Sequence, residues 1–77
     1  MSDELTVYTG TVIWFSGSYG FIEWEKDGAK QNDIFVHYSD IAADGFRTLY
    51  KAQKVSFSIG TNKGGDPKAI NVMALKN

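Results

Sequence analysis

Five short runs rich in β-branched and aromatic residues follow one another along the chain, separated by glycine and polar clusters. They cover residues 7–15, 19–25, 33–38, 54–59 and 68–75. Runs of this length and composition indicate strands, and no segment shows a long helical period. Five strands in a chain of 77 residues predict an all-β fold, a closed or nearly closed antiparallel barrel, because closure removes the exposed edges of a small sheet.

Length and composition restrict the class of protein further. A chain of 77 residues with net charge -1 and no cysteine indicates one domain, residues 1–77, and residues 1–6 are expected to form a flexible tail. The polar, acidic start does not resemble a signal peptide, and no apolar run reaches the roughly 20 residues that span a membrane. We therefore expect a cytoplasmic monomer with no membrane partner.

Strand alternation predicts where the side chains of the second and third runs point. Successive residues of a strand face opposite sides of the sheet. The aliphatic residues Ile22, Ile34 and Val36 fit the lining of the barrel. Their neighbours are then expected on the outer surface, where four rings would lie on adjacent strands: Tyr19, Phe21, Phe35 and His37.

Outward rings on neighbouring strands have two explanations that alternation alone leaves open. They can stack on unpaired bases, which is worth about 1–3 kcal/mol per base. They can equally be structural, pairing across strands or lying under a loop. A slip of one residue in the strand register would also exchange the two faces.

Local patterns predict two turns and the face of the fifth run. Asp27-Gly28 and Asp44-Gly45 are typical turn dipeptides. In the fifth run, Ile70 and Val72 are two residues apart and are expected to share one face.

Several segments together resemble the cold-shock domain. They read GTVIWF, YGFI, DIFVHYSDI, DGFRTL and QKVSF, in this order, and the resemblance covers about residues 10–72. Two of them, residues 19–22 and 34–38, correspond to the family's ribonucleoprotein-type motifs. The resemblance implies a five-stranded OB-fold barrel that binds single-stranded RNA or single-stranded DNA by base stacking, with no cofactor.

The resemblance also implies which residues bind. Asp33 matches a family aspartate that accepts a hydrogen bond from a base edge, and Arg47 and Lys63 lie in loops that flank the binding surface and can contact phosphates. Phe15 matches a ring that only borders the surface. The aromatic positions that match the family's binding surface are Trp14, Phe15, Tyr19, Phe21, Phe35, His37, Tyr38 and Phe46.

The chain departs from the family pattern at several positions. Ile13 stands where a lysine commonly precedes the tryptophan, and Gly17-Ser18 replaces a Lys-Gly pair in a motif that is two residues shorter. Because phosphate neutralisation sets affinity and its salt dependence, we expect weaker binding and a shallow salt slope. Trp24 replaces a smaller apolar residue and is expected to plug the end of the barrel. The loop TNKGGDPK looks about two residues longer than usual, which leaves the alignment of Lys63 open.

The predicted function is therefore low-specificity binding of single strands, which would act as an RNA chaperone in a cold-shock role. One alternative is that the same rings bind a protein, to which the acidic balance and the missing lysines give some weight. A second is a drifted cold-shock-like domain of a mobile element. An enzyme acting on a small-molecule substrate is not expected, since the chain has no cysteine, one histidine and scattered acids. We predict no catalytic residues and no metal ligands.

Overall fold

The structure, a computed structural model, describes residues 6–42 and 48–75. The described residues form six strands, and a 3-10 turn, Tyr38–Asp40, follows the fourth. Within these two ranges, no helix is long and apolar enough to cross a membrane. The strands are β1 Tyr8–Phe15, β2 Tyr19–Lys26, β3 Ala29–Lys30, β4 Ile34–His37, β5 Lys54–Thr61 and β6 Pro67–Ala74.

Five of these strands close into a ring. The order of neighbours is β1, β5, β6, β4 and β2, and β2 pairs with β1 to complete the circuit. Among the described residues, the short β3 pairs only with the end of β2, and it lies outside the ring. This closed ring confirms the five-stranded OB-fold barrel implied by the sequence.

One pairing in the ring is parallel. Neighbouring strands are antiparallel except β4 and β6, which run side by side with Val36 opposite Ala69. A ring with an odd number of strands cannot alternate in direction all the way round, so at least one neighbouring pair must be parallel. A bridge between Ile41 and Val72 extends this parallel contact beyond the end of β4.

The β2–β3 hairpin closes at the predicted Asp27-Gly28 turn. Both residues have positive φ, 55° and 82°, as a type I′ hairpin turn requires. The second predicted turn, Asp44-Gly45, lies outside the described residues. So do residues 1–5 of the predicted tail.

The core is the aliphatic interior of the barrel. Ile22, Ile34 and Val36 are all at least 97% buried, which confirms the predicted lining. Trp24 packs against the edge of this core, edge-to-face on Phe57 with ring centroids 5.6 Å apart. Its indole N–H donates to the carbonyl of Asn32. These contacts agree with the structural role predicted for Trp24.

The prediction that Ile70 and Val72 share one face is wrong because β6 contains a bulge. The pairing with β5 steps from Ser56–Met73 to Ser58–Ile70, which leaves two residues, Asn71 and Val72, opposite one. Asn71 has a φ of 51°, in the left-handed region that asparagine tolerates. The extra residue turns Val72 into the core, while Ile70 faces the other side beside Ser58.

Candidate nucleic-acid interface

A bulge in β1 determines where Trp14 points. Val12 pairs with Ile22, but the next pair is Trp14 with Phe21, so Ile13 is an extra residue on β1. Regular alternation would place Trp14 on the same side as Val12, which is 1% exposed. Because of the extra residue, Trp14 instead lies beside Phe21 on the outer surface and is 41% exposed.

Rings from three strands meet on this outer surface. Trp14 lies 5.5 Å from Tyr19 and 5.9 Å from Phe21, measured between ring centroids. Phe35 lies 5.8 Å from Tyr19 and 6.0 Å from Phe21. His37 is the cross-strand partner of Tyr19. We call this surface the aromatic face; its residues are Trp14, Tyr19, Phe21, Phe35 and His37.

The His37 ring is fixed by the turn that follows β4. Its Nδ1 accepts a hydrogen bond from the backbone N–H of Ser39 and lies 2.8 Å from the Ser39 hydroxyl. A neutral imidazole that accepts at Nδ1 carries its proton on Nε2. Tyr38, at the start of the turn, is 45% exposed and lies 4.8 Å from the His37 ring. The edge of the aromatic face therefore carries both a ring and a donor N–H.

Gly20 allows β1 and β2 to approach closely beneath these rings. It is buried and pairs with Phe15. A Cβ at this position would collide with the backbone carbonyl of Trp14 and lie 2.9 Å from the Phe15 Cα. The absence of a side chain at Gly20 therefore allows β1 to lie close to β2 at the point where Trp14 turns outward.

The shortened β1–β2 connection is closed by Ser16. The Ser16 N–H donates to the carbonyl of Tyr19, and its hydroxyl oxygen accepts from the N–H groups of Ser18 and Tyr19. Gly17 between them has a φ of 105°, which suits a residue without a Cβ. Ser18 is exposed next to Tyr19, so the Gly17-Ser18 pair, which carries no lysine here, lies at the border of the aromatic face.

The remaining predicted residues lie at different places. Phe15 packs against the core, because it follows Trp14 directly and faces the opposite side. Asp33 is exposed just before β4, in a depression that Trp24 and Pro67 also line. Lys63 is exposed in the β5–β6 loop. Phe46 and Arg47 lie outside the described residues.

Sequence reasoning missed a cation at the border of the aromatic face. Lys68 is the β6 neighbour of Phe35 in the parallel pairing, and its Nζ lies 3.1 Å from a carboxylate oxygen of Asp40. In the sequence both residues look like ordinary solvated charges. Only the pairing of β4 with β6 brings the two residues together, and no local sequence pattern predicts that pairing.

Comparison with known families identifies this barrel. A family model described as the "'Cold-shock' DNA-binding domain" matches residues 8–75. The chain belongs to the cold-shock domain family. The match spans all six strands and includes the whole aromatic face.

Similar cold-shock proteins come from several bacteria. The chain is 43% identical over 72 residues to cold shock protein CspV of Vibrio cholerae, covering 91% of this chain and 97% of that protein. It is 47% identical over 70 residues to a cold shock-like protein of Aquifex aeolicus, covering 88% and 94%. It is 48% identical over 67 residues to the major cold shock protein CspA of Bacillus cereus, covering 87% and 96%.

Membership of the cold-shock domain family supports nucleic-acid binding in a cold-shock role. Proteins of this family bind nucleic acid and are not enzymes, in agreement with the prediction from the sequence. The exposed rings of the aromatic face are the surface feature of this barrel that suits such a ligand.

Proposed function

We propose that this cold-shock domain binds single-stranded RNA and single-stranded DNA with low sequence specificity, as a monomeric single domain. Bases stack on the aromatic face, and the bound strand is held unpaired. The observation that carries this proposal is the contact of four rings, Trp14, Tyr19, Phe21 and Phe35, at centroid distances of 5.5–6.0 Å on the outside of the barrel.

The exposure of the rings supports a ligand-binding role. Trp14 and Tyr19 are 41% and 42% exposed although they lie side by side. Contiguous apolar surface of this kind is uncommon on a small protein unless it binds something. Every base has a π face, so stacking on these rings tolerates any sequence.

The angles between the rings favour single strands over duplexes. The plane of Phe21 is turned by 61° from that of Trp14 and by 72° from that of Phe35. Bases that stack on rings inclined in this way cannot remain stacked on one another as they are in a duplex. The strand that fits this surface is one whose bases are already free to separate.

Binding of this kind accounts for a chaperone role without any chemical step. A protein that binds only the open form of an RNA hairpin shifts the equilibrium toward that form by mass action. We propose that this is how the domain serves a cold-shock role, since hairpins are most stable at low temperature.

Polar and peripheral residues complete the proposed site. Asp33 would accept a hydrogen bond from a base edge, and Lys63 would contact a phosphate. Tyr38 and Phe15 would border the stacked bases, Phe15 less directly because it packs against the core. Phe46 and Arg47, outside the described residues, are proposed as a further stacking ring and a further phosphate contact.

A fluorescence titration tests the proposal. The Trp24→Phe variant leaves Trp14 as the sole tryptophan, so quenching reports stacking on the aromatic face. We expect quenching by oligothymidine and oligouridine, and much weaker binding of a duplex of the same length. Equal affinity for duplex and single strand, or no quenching at all, would contradict the proposal. Binding to a protein instead would leave the signal insensitive to both oligonucleotides.

A further inference from the structure

Strand β6, which borders the aromatic face, carries one lysine, and this lysine is already paired with an acid. Lys68 lies opposite Phe35 in the parallel pairing, and the next pair, Val36 with Ala69, is fully buried. Paired residues of neighbouring strands share a face of the sheet. Lys68 therefore lies on the outer side, next to Phe35, at the border of the surface on which bases are proposed to stack.

The carboxylate that engages Lys68 comes from the turn after β4. Asp40 ends the 3-10 turn Tyr38–Asp40, and its Oδ2 lies 3.1 Å from Lys68 Nζ. This oxygen is shielded from solvent. A buried carboxylate needs a compensating cation, and Lys68 is the cation the structure places there.

This ion pair differs in burial from the other one in the described part of the chain. The side chains of Lys68 and Asp40 are 28% and 19% exposed, whereas those of Lys30 and Glu23 are 64% and 50% exposed at a similar distance of 3.3 Å. Exposed ion pairs are weak and are readily exchanged for solvent or another ion. Withdrawing the cation from a half-buried carboxylate is costly, so Asp40 holds Lys68 more firmly.

We propose that Lys68 is a phosphate-binding cation at the border of the aromatic face and that Asp40 competes with the phosphate for it. This inference rests on the proposed function. A bound strand gains the Lys68 contact only at the expense of the Asp40 pair. Asp40 thereby weakens binding and lowers its salt dependence, in addition to the effect of the lysines missing at Ile13 and in the Gly17-Ser18 pair.

Removal of the carboxylate gives the direct test. In Asp40→Asn, Lys68 is free to neutralise a phosphate, and one such contact adds about 0.7 to the slope of log Kobs against log salt on single strands. Affinity for oligothymidine should then fall about 2.6-fold more than in the unmodified chain between about 50 and 200 mM salt. At about 50 mM salt the variant should bind more tightly, by up to about eightfold. Fluorescence anisotropy of a labelled oligothymidine measures both quantities.

Two further variants separate this explanation from a general effect of charge. Glu23→Gln makes the same change in net charge and frees Lys30 from the exposed pair, so the slope should change little. Asp40→Asn combined with Lys68→Gln should lose the gain of Asp40→Asn. Thermal unfolding by circular dichroism confirms that each variant is folded. Asp40→Ala, which leaves no polar group at the half-buried site, replaces Asp40→Asn if the latter does not fold.

The outcomes distinguish this inference from the proposed function. A steeper slope in Asp40→Asn that Lys68→Gln abolishes supports it. An unchanged slope, an equal effect of Glu23→Gln, or weaker binding by Asp40→Asn overturns it. If the unmodified chain still binds and Phe35→Ala still weakens binding, the proposed function survives that result. If no variant binds single strands, both fail together.

Discussion

Phe35 lies on the β4 side of the aromatic face. Its ring contacts those of Tyr19 and Phe21, and Lys68 lies beside it on β6. His37, two residues further along β4, is held by the N–H of Ser39. The two side chains therefore differ in role, since Phe35 offers only a stacking surface while His37 offers a ring and a donor.

Truncation of either ring should weaken binding without unfolding the barrel. Both are only half-buried on the outside of β4, and loss of one stacked base costs about 1–3 kcal/mol of binding free energy. We expect Phe35→Ala and His37→Ala each to raise the Kd for oligothymidine accordingly in a fluorescence titration. Tyr50→Ala is the matched control, since Tyr50 is an exposed ring outside the aromatic face. Unchanged Kd values for both ring variants would show that bases do not stack there.

At the scale of the strands, the site depends on a departure from regular alternation. The bulge at Ile13 turns Trp14 outward, and Gly20 allows the two strands to remain close at that point. Neither the bulge nor Gly20 would by itself place a ring on the aromatic face. The position of Trp14 is thus a property of the β1–β2 pair.

A side chain at position 20 should disturb this pair. The added methyl group of Gly20→Ala would collide with the carbonyl of Trp14 and press on Phe15. Overpacking of this kind costs about 1–3 kcal/mol of unfolding free energy. Chemical denaturation measures that loss, and Trp14 should be less quenched by an oligonucleotide in the folded variant. Gly64→Ala, where the new methyl group meets only ordinary contacts, should lose little stability; an equal loss in both variants would contradict the argument.

The sequence predicted best where alternation is regular. The inward positions of Ile22, Ile34 and Val36 follow from their spacing, and the structure buries all three. Alternation fails at the bulges, where it would turn Trp14 inward and where it wrongly put Ile70 and Val72 on one face. A bulge has no reliable local signature, because it depends on how the partner strand is paired. The Lys68–Asp40 pair could not be predicted for a similar reason, since it joins the turn after β4 to β6, two segments that are distant in the sequence.

At the scale of the whole molecule, the net charge of this chain is unfavourable for binding a polyanion. The net charge is -1, and Lys68, beside the aromatic face, is paired with Asp40. Affinity for single strands should therefore come mainly from stacking. Stacking depends less on salt than phosphate neutralisation does.

Lysines at the two departing positions should restore an electrostatic contribution. Ser18→Lys and Ile13→Lys lie next to Tyr19 and Trp14, and each new phosphate contact should add about 0.7 to the salt slope on single strands. We expect tighter binding at low salt and a steeper slope in anisotropy measurements at several salt concentrations. Thr9→Lys, an exposed position near the start of β1, adds the same charge away from the aromatic face. A slope that stays flat in both lysine variants would refute the explanation from missing cations.

The parallel pairing of β4 with β6 also determines at what stage of synthesis the aromatic face can be completed. β6 lies between β4 and β5, so the ring stays open until residues 67–74 are in place. On the ribosome, the first five strands would emerge with both edges of the gap uncovered and with Phe35 lacking its neighbour on β6. The domain would become competent to hold a nucleic-acid strand only after residues 67–74 had been synthesised and had paired with both neighbouring strands.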